Sequence, residues 1–251
     1  MAGSWSKARN RVDRAPAFLL HQHPWRETSL ILDVFSRDKG RVSIAARGAR
    51  RAGSPLRGVL LGFQPVLLSW FGSGEVKTLH TAEWQGGVPH LAGLPLMCGF
   101  YLNELLIRLL PRDDPHPQLF DAYLEAVVAL SLSPRAGMHV VEPILRRAEL
   151  ALLAALGYGV SFTHDRAGHP LQSDYTYLWL SGSGFSRCQV GTPHSVIGSS
   201  LLAIGQGELS DAKVAQDAKS LMRLLFGELL GPGELHTRQL LRDLQSIYSA
   251  E

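Results

Sequence analysis

Apolar and polar residues alternate with period two in the first third of the chain and recur with a helical period after it. The clearest alternation is Gly40-Arg41-Val42-Ser43-Ile44-Ala45-Ala46-Arg47, with Val42, Ile44 and Ala46 on one face and Arg41, Ser43 and Arg47 on the other. Period two is the signature of a half-buried strand. It predicts cations on the solvent side and delivers the arginine-rich loop Gly48-Ala49-Arg50-Arg51 at the strand's end. Further strands are expected at Ala17–Gln22 (ended by Pro24), Ser29–Phe35, Gly62–Phe71 and Glu75–Glu83, with Ser36–Gly40 and Gly72-Ser73-Gly74 as turns. Five short strands within about 70 residues suit a small closed β-barrel such as the OB-fold, a common binder of single-stranded nucleic acid.

Beyond Gly86-Gly87 the period becomes helical. Helices are expected at Leu94–Leu110 (stopped by Pro111), at Gln118–Leu132, and at Ile144–Leu156 with Pro143 in its first turn and Gly157-Tyr158-Gly159 as its cap. Tyr175–Leu180 and Gly184–Val190 flank Ser181-Gly182-Ser183 as a hairpin. Three helices are expected to close the chain, at about Ser195–Ile204, Asp211–Leu230 and Thr237–Ser249. The expected architecture is therefore multidomain β + α. Residues 1–14 are a basic flexible arm, 15–86 an OB-fold nucleic-acid-binding domain, and 87–251 a mainly α-helical domain with a small β-hairpin insertion at about 174–191.

Charge sharpens this division. The chain of 251 residues carries a net charge of +3, but residues 1–85 hold 13 Lys and Arg against 6 Asp and Glu, whereas the remainder is mildly acidic. A basic module joined to a part with another task fits such asymmetry. Only two cysteines occur, Cys98 in an apolar helical stretch and Cys188, so a reduced, cytosolic protein without structural disulfides is expected. No signal peptide is recognised at the N-terminus, and no apolar run reaches the roughly 18–20 residues of a membrane span.

The barrel's cations are Arg26, Arg37, Lys39, Arg41, Arg47, Arg50, Arg51 and Arg57; between Lys39 and Gly74 six cations occur with no Asp or Glu. Such a run suits a polyanion better than a small metabolite. Arg26, Lys39, Arg41, Arg47, Arg50, Arg51 and Arg57 are the candidate DNA-binding residues, with Trp25 the candidate stacking ring. No metal site is expected. His21 and His23 are too few, and His164, His169, Cys188 and His194 lack a C-x-x-C pair. No catalytic residue is assigned either: Walker A, H-E-x-x-H and G-x-S-x-G motifs are missing, and Asp113-Asp114 reads as a loop before a helix. On the third helix Arg146-Arg147 could place a cation beside an apolar pocket, fit for an acidic-hydrophobic peptide end. A non-catalytic adaptor, whose barrel binds peptide or another subunit, is the rival reading.

Several stretches carry a family resemblance. They are Trp25–Phe35, Gly40-Arg41-Val42 through Ala46-Arg47-Gly48-Ala49-Arg50, Gly74–Leu79 with Ala82-Glu83, Tyr101–Leu106, Leu145-Arg146-Arg147 through Glu149–Leu153, and Leu156–Val160. By them the chain resembles the RecO family of bacterial recombination mediators from about Ala17 to the C-terminus. The resemblance implies an N-terminal OB-fold and a helical C-terminal domain. It implies binding of single- and double-stranded DNA, annealing of complementary strands without ATP or other cofactor, and no enzymatic step. It further implies partnership with RecR, docking of the acidic C-terminal tail of single-stranded-DNA-binding protein and indirect service to RecA. A cytoplasmic, nucleoid-associated protein is expected, and a monomer, although the sequence itself does not fix the oligomeric state. Arg41 and Arg47 match basic DNA-contact positions of the family, and Arg146 matches an arginine used for the tail; Arg147 is added as its neighbour. Many family members carry a four-cysteine zinc site after the Gly-Tyr segment. With Cys188 alone there, this chain resembles the zinc-free branch.

Overall fold

The computed structural model describes residues 10–158 and 160–240. Its first five strands are β1 (Arg11–Trp25), β2 (Ser29–Ser36), β3 (Gly40–Ala46), β4 (Val66–Phe71) and β5 (Val76–Trp84). They close into a barrel in the order β1-β2-β3-β5-β4, with β4 returning to β1. Neighbours are antiparallel except for β3 and β5, which run parallel. A one-turn helix, α1 (Leu56–Val59), sits in the β3–β4 connection. The result is an OB-like barrel.

Strand β1 is longer than its apolar run suggests. Arg11 lies opposite Phe71 and Val12 opposite Trp70, and the Arg14 guanidinium pairs with Glu83. Arg11 and Arg14 therefore belong to the sheet and not to a flexible arm; Lys7 and Arg9 lie outside the described residues. Nor does Pro24 end the strand. Pro16 sits where β1 pairs only with β4, and Pro24 where it pairs only with β2. Neither proline removes a donor from a strand flanked on both sides. Strand β4 starts only at Val66, because Phe63 takes a left-handed conformation (φ +61°) that breaks the extended run expected from Gly62.

Alternation sorts the barrel's side chains. Ala17, Leu19, Leu32, Val34, Val42, Ile44, Leu68 and Trp70 form the interior. Phe18, Leu20 and Phe35 point the other way and are equally buried, because the helical region packs on this face. That region comprises α2 (Gly93–Leu109), α3 (Pro117–Ser131), α4 (Met138–Ala155), α5 (Gly198–Gln206) and α6 (Ala212–Leu230), with a three-stranded sheet. In the sheet, β6 (Thr176–Leu180) lies between β7 (Gly184–Cys188) and β8 (Val196–Ile197). The expected hairpin is thus present, with β8 as an additional strand. Helix α4 begins at Met138, so Pro143 lies inside it and not in its first turn. Val141, with no exposed surface, anchors this extra length in the core. Of the expected last helix, residues 236–240 are helical and the rest lies outside the described residues.

Aromatic packing joins the two regions. The Phe18 ring lies 5.5 Å from Phe120 and 5.1 Å from Tyr123, and Phe35 lies 5.5 Å from Phe120. Asn103 on α2 donates to the Leu20 carbonyl at 2.9 Å and accepts from the Tyr123 hydroxyl at 2.6 Å. Cys98 is buried there too, and desolvation pushes its thiol pKa up to about 11.

Truncating one ring should reveal this seam. Phe35→Ala and Phe120→Ala should each lower the unfolding free energy in urea by about 3–5 kcal/mol. Because the rings touch, the double variant should lose less than the sum, by about 0.5–1.5 kcal/mol. Strict additivity would show that these two rings do not stabilise one another across the seam.

Candidate nucleic-acid interface

Barrel register decides which cations meet. The β1–β2 turn, the exit of β3, the start of β4 and the end of β5 share one end of the barrel. At that end the β3 exit folds against the β1–β2 turn. Arg50 N donates to the Thr28 carbonyl at 2.9 Å, and the Arg50 guanidinium reaches the Arg26 and Glu27 carbonyls at 3.5 and 3.4 Å. Gly48 (φ +72°) makes the turn, closed by Arg51 N donating to its carbonyl at 3.1 Å. Ala49, 2% exposed, plugs the loop into the barrel interior, which leaves Arg47, Arg50 and Arg51 outside and exposed. Arg26 is exposed in the neighbouring turn, and Arg57 is exposed on α1 in the same β3–β4 connection.

Among the described residues, none of these five arginines is paired with a carboxylate. Unpaired guanidinium groups on a rigid barrel end form a cationic surface of the kind that phosphodiesters meet bidentately.

Two of the expected contacts fall elsewhere. Lys39 is exposed, but in the β2–β3 turn at the opposite end of the barrel. Arg41 projects outward from β3, as its alternation predicts, yet outward here means toward the helical region. Its Nε donates to the Leu110 carbonyl at 3.0 Å, Asp33 lies 3.8 Å away, and its side chain is only 14% exposed. Burial lowers its pKa, Asp33 opposes that, and Arg112 adds to it. Arg41 is thus a seam residue and not an open phosphate contact. The same holds for Arg37, which makes a bidentate pair with Asp121 at 3.0 and 2.8 Å. That pair raises the Arg37 pKa and lowers that of Asp121.

Sequence reasoning missed two residues. Arg112 follows α2, reaches over β3, and donates to Ser43 Oγ at 2.6 Å. Its position opposite Arg41 carries no local sequence signal. Trp84 ends β5 at the arginine end and is 56% exposed; its place beside Gln85-Gly86-Gly87 was the available hint. Trp25, the expected stacking ring, is only partly exposed and carries the Arg26 guanidinium 4.3 Å over its face.

On α4 the two neighbouring arginines part company. Arg146 is 7% exposed, and its Nη2 pairs with Glu149 Oε1 at 2.8 Å. The Tyr101 hydroxyl donates to the same oxygen at 2.5 Å. Burial pushes the Glu149 carboxyl above the ordinary carboxylate range, with the Arg146 charge opposing it. Arg146 is therefore not open to a ligand. Arg147 is exposed and lines a cleft between α3 and α4 with Ala122, Glu125, Ala126, Ala129 and Ile144.

His21 and His23 stack edge to face at 4.2 Å, and His23 lies 3.6 Å from Asp33. No group of three or more His, Cys, Asp or Glu among the described residues is arranged to hold a metal ion. Asp113 and Asp114 lie in the loop that docks on β3: Asp113 N donates to the Arg41 carbonyl at 2.9 Å. A Cβ on Gly40 would meet the Asp114 carbonyl at 2.0 Å, so only glycine admits this loop. No helix among the described residues is long and apolar enough to cross a membrane.

Comparison with known proteins agrees with this division of the chain. The family described as "Recombination protein O N terminal" matches residues 12–87, and "Recombination protein O C terminal" matches residues 90–235. The chain is 46% identical over 243 residues to the DNA repair protein RecO of Aromatoleum aromaticum, covering 95% of this chain and 99% of that protein. It is 46% identical over 245 residues to the RecO protein of Azoarcus sp., with the same coverages. Against that of Dechloromonas aromatica it is 46% identical over 241 residues, again covering 95% and 99%.

The placement of Arg41 can be checked directly. Arg41→Ala should lower the unfolding free energy in urea by about 1.5–3 kcal/mol, the worth of a hydrogen bond to a charged group. It should leave the salt dependence of oligonucleotide binding unchanged. Undiminished stability together with a shallower salt slope would return Arg41 to the interface.

Proposed function

The chain belongs to the recombination protein O family, which serves DNA repair and recombination, and on that premise we propose that it is a non-enzymatic mediator that binds and anneals DNA strands. The observation that supports this most is the group of exposed arginines, Arg26, Arg47, Arg50, Arg51 and Arg57, at one end of the OB-like barrel without carboxylate partners among the described residues. Annealing requires no nucleophile, cofactor or ATP. It requires that two polyanions approach with their charge neutralised and their bases left free to pair. Phosphate contacts through arginine supply this, and counterion release drives them. Because such contacts carry no sequence information, phosphate contacts by themselves would bind both single and double strands of any sequence.

The helical region supports a second task. A cleft between two helices, walled by alanines and Ile144 with Arg147 and Glu125 at its sides, suits a peptide that ends in an apolar residue and sets its carboxylate on Arg147. We place the acidic C-terminal tail of single-stranded-DNA-binding protein there, on Arg147 instead of Arg146. Tethered in this way, the barrel would work on strands still coated by that protein and, with RecR, prepare them for RecA.

Two experiments test the two halves. Replacing Arg47, Arg50 and Arg51 by Glu should abolish annealing of complementary oligonucleotides while circular dichroism and thermal unfolding stay normal. Replacing them by Ala should flatten the plot of log affinity against log salt for a single strand by about 2. Retained annealing by the folded Glu variant would remove this end of the barrel from the mechanism. For the tail, Arg147→Ala should weaken binding of an acidic C-terminal peptide about tenfold, the value of about 1.4 kcal/mol. The same change should leave thermal stability intact, whereas Arg146→Ala should destabilise the fold. Unchanged peptide affinity in Arg147→Ala would refute that site.

A further inference from the structure

Phosphate contacts alone hold a strand without organising its bases. At the arginine end of the barrel the structure carries an aromatic ring that neither the barrel interior nor the helical core uses. Trp84 is 56% exposed, the most exposed tryptophan among the described residues. Leaving so large an apolar side chain in water forgoes the stabilisation that burial would give. Even so, the ring is held in place. Its Nε1 donates to Gln64 Oε1 at 3.4 Å, and Gln64, itself 2% exposed, is anchored by its Nε2 donating to the Val88 carbonyl at 2.9 Å. Gly86, in a left-handed conformation (φ +74°), lies against the six-membered ring. A Cβ there would come within 3.4 Å of Trp84 Cη2. The indole is thus pinned at its nitrogen and backed by a glycine, with more than half of its surface open.

Its surroundings are cationic. Trp84 pairs with Val66 at the end of the barrel shared by the β1–β2 turn and the β3 exit, where Arg26, Arg47, Arg50 and Arg51 emerge. Helix α1, which carries Arg57, packs against β5. Trp25 is less suited to the task, since the Arg26 guanidinium already covers its ring.

We infer that Trp84 is a stacking platform for an unpaired base of the strand whose phosphates the neighbouring arginines hold. The inference rests on the nucleic-acid interface proposed above and deepens it: the preferred ligand is single-stranded, because only there is a base face free. An exposed, pre-positioned ring stacks on any base without selecting among them, which suits a protein that must anneal strands of every sequence.

The test is anisotropy binding of a labelled oligothymidylate and of the same oligonucleotide with abasic positions, at two salt concentrations. Trp84→Ala should weaken oligothymidylate binding about tenfold, within the range seen for removal of a stacking ring. It should leave binding of the abasic strand and the salt slope unchanged. Trp84→Phe keeps a ring but not the indole N–H, so it should retain most of the affinity. Wild-type protein should itself bind the abasic strand more weakly than oligothymidylate, a comparison that needs no variant. Unchanged affinity in Trp84→Ala, or equal losses for both oligonucleotides, would overturn the assignment. If the Arg47, Arg50 and Arg51 substitutions abolish binding while Trp84→Ala does not, the platform falls and the interface stands. If those substitutions change nothing, the interface reading itself has failed.

Discussion

The packing of the barrel's outer face on helices α2 and α3 is the constraint from which the other features follow. A five-stranded barrel has a small interior, and this one fills several inward positions with alanine: Ala15, Ala17, Ala46 and Ala49. Its bulkiest rings, Phe18 and Phe35, point the other way, and there they meet Phe120 and Tyr123. A barrel of this size buries little surface by itself. The outward aromatics extend it into a second core, shared with the helices. Barrel and helical region are therefore parts of one packed body, and each dictates what the other may expose.

Electrostatics follows from that packing. Where the outer face is covered, cations must find partners. Arg41 takes the Leu110 carbonyl and lies near Asp33, Arg37 takes Asp121, and Lys77 lies 3.3 Å from Asp113. Two of those carboxylates come from the acidic C-terminal part. Some of the charge asymmetry along the chain is thus complementarity across a seam and has nothing to do with nucleic acid. What is left over is informative: among the described residues, the arginines around the β3 exit meet no carboxylate, and they are exposed. The proposed nucleic-acid interface rests on that remainder and not on the net charge.

Much of this architecture was legible in the residues. The alternation through Val42, Ile44 and Ala46 gave β3 its inward face, the Ser181-Gly182-Ser183 turn gave the β6–β7 hairpin, and Pro111 marked the end of α2. Periodicity assigns faces, however, and does not say what covers them. Arg41 was placed on the correct face, but that face is buried. The run Phe18-Leu19-Leu20 held the warning, since consecutive apolar residues mark a strand buried on both sides. Prolines misled for a related reason: Pro24 lies where β1 pairs only with β2, and the helix carrying Pro143 begins earlier, with Val141 buried, neither of which is visible locally. Trp84 escaped notice because it closes a strand, where an aromatic has no periodic partner to mark it, and the glycines that follow it were the one local hint.

The contrast between Arg146 and Arg147 shows how a core contact can fix a surface. Successive helical residues point about 100° apart, so one arginine cannot turn inward without turning the other toward the α3–α4 cleft. A buried ion pair is a poor source of net stability, because desolvation consumes most of its attraction. In this one both Arg146 Nε and Glu149 Oε2 lack a hydrogen-bond partner among the described residues. What the cluster offers is register. Apolar contacts tolerate small rotations of a helix, whereas the 2.5 Å hydrogen bond from the Tyr101 hydroxyl on α2 to Glu149 is satisfied at one rotation of α4, and Arg146, paired with Glu149 along the same helix at 2.8 Å, steadies that carboxylate. Arg238 approaches the same Tyr101 hydroxyl at 3.3 Å and draws the chain after α6 into the arrangement. By this argument Glu149, bound by Tyr101 and charge-compensated by Arg146, shapes any site on the α3–α4 cleft from inside the core, by holding α4 at the rotation that presents Arg147.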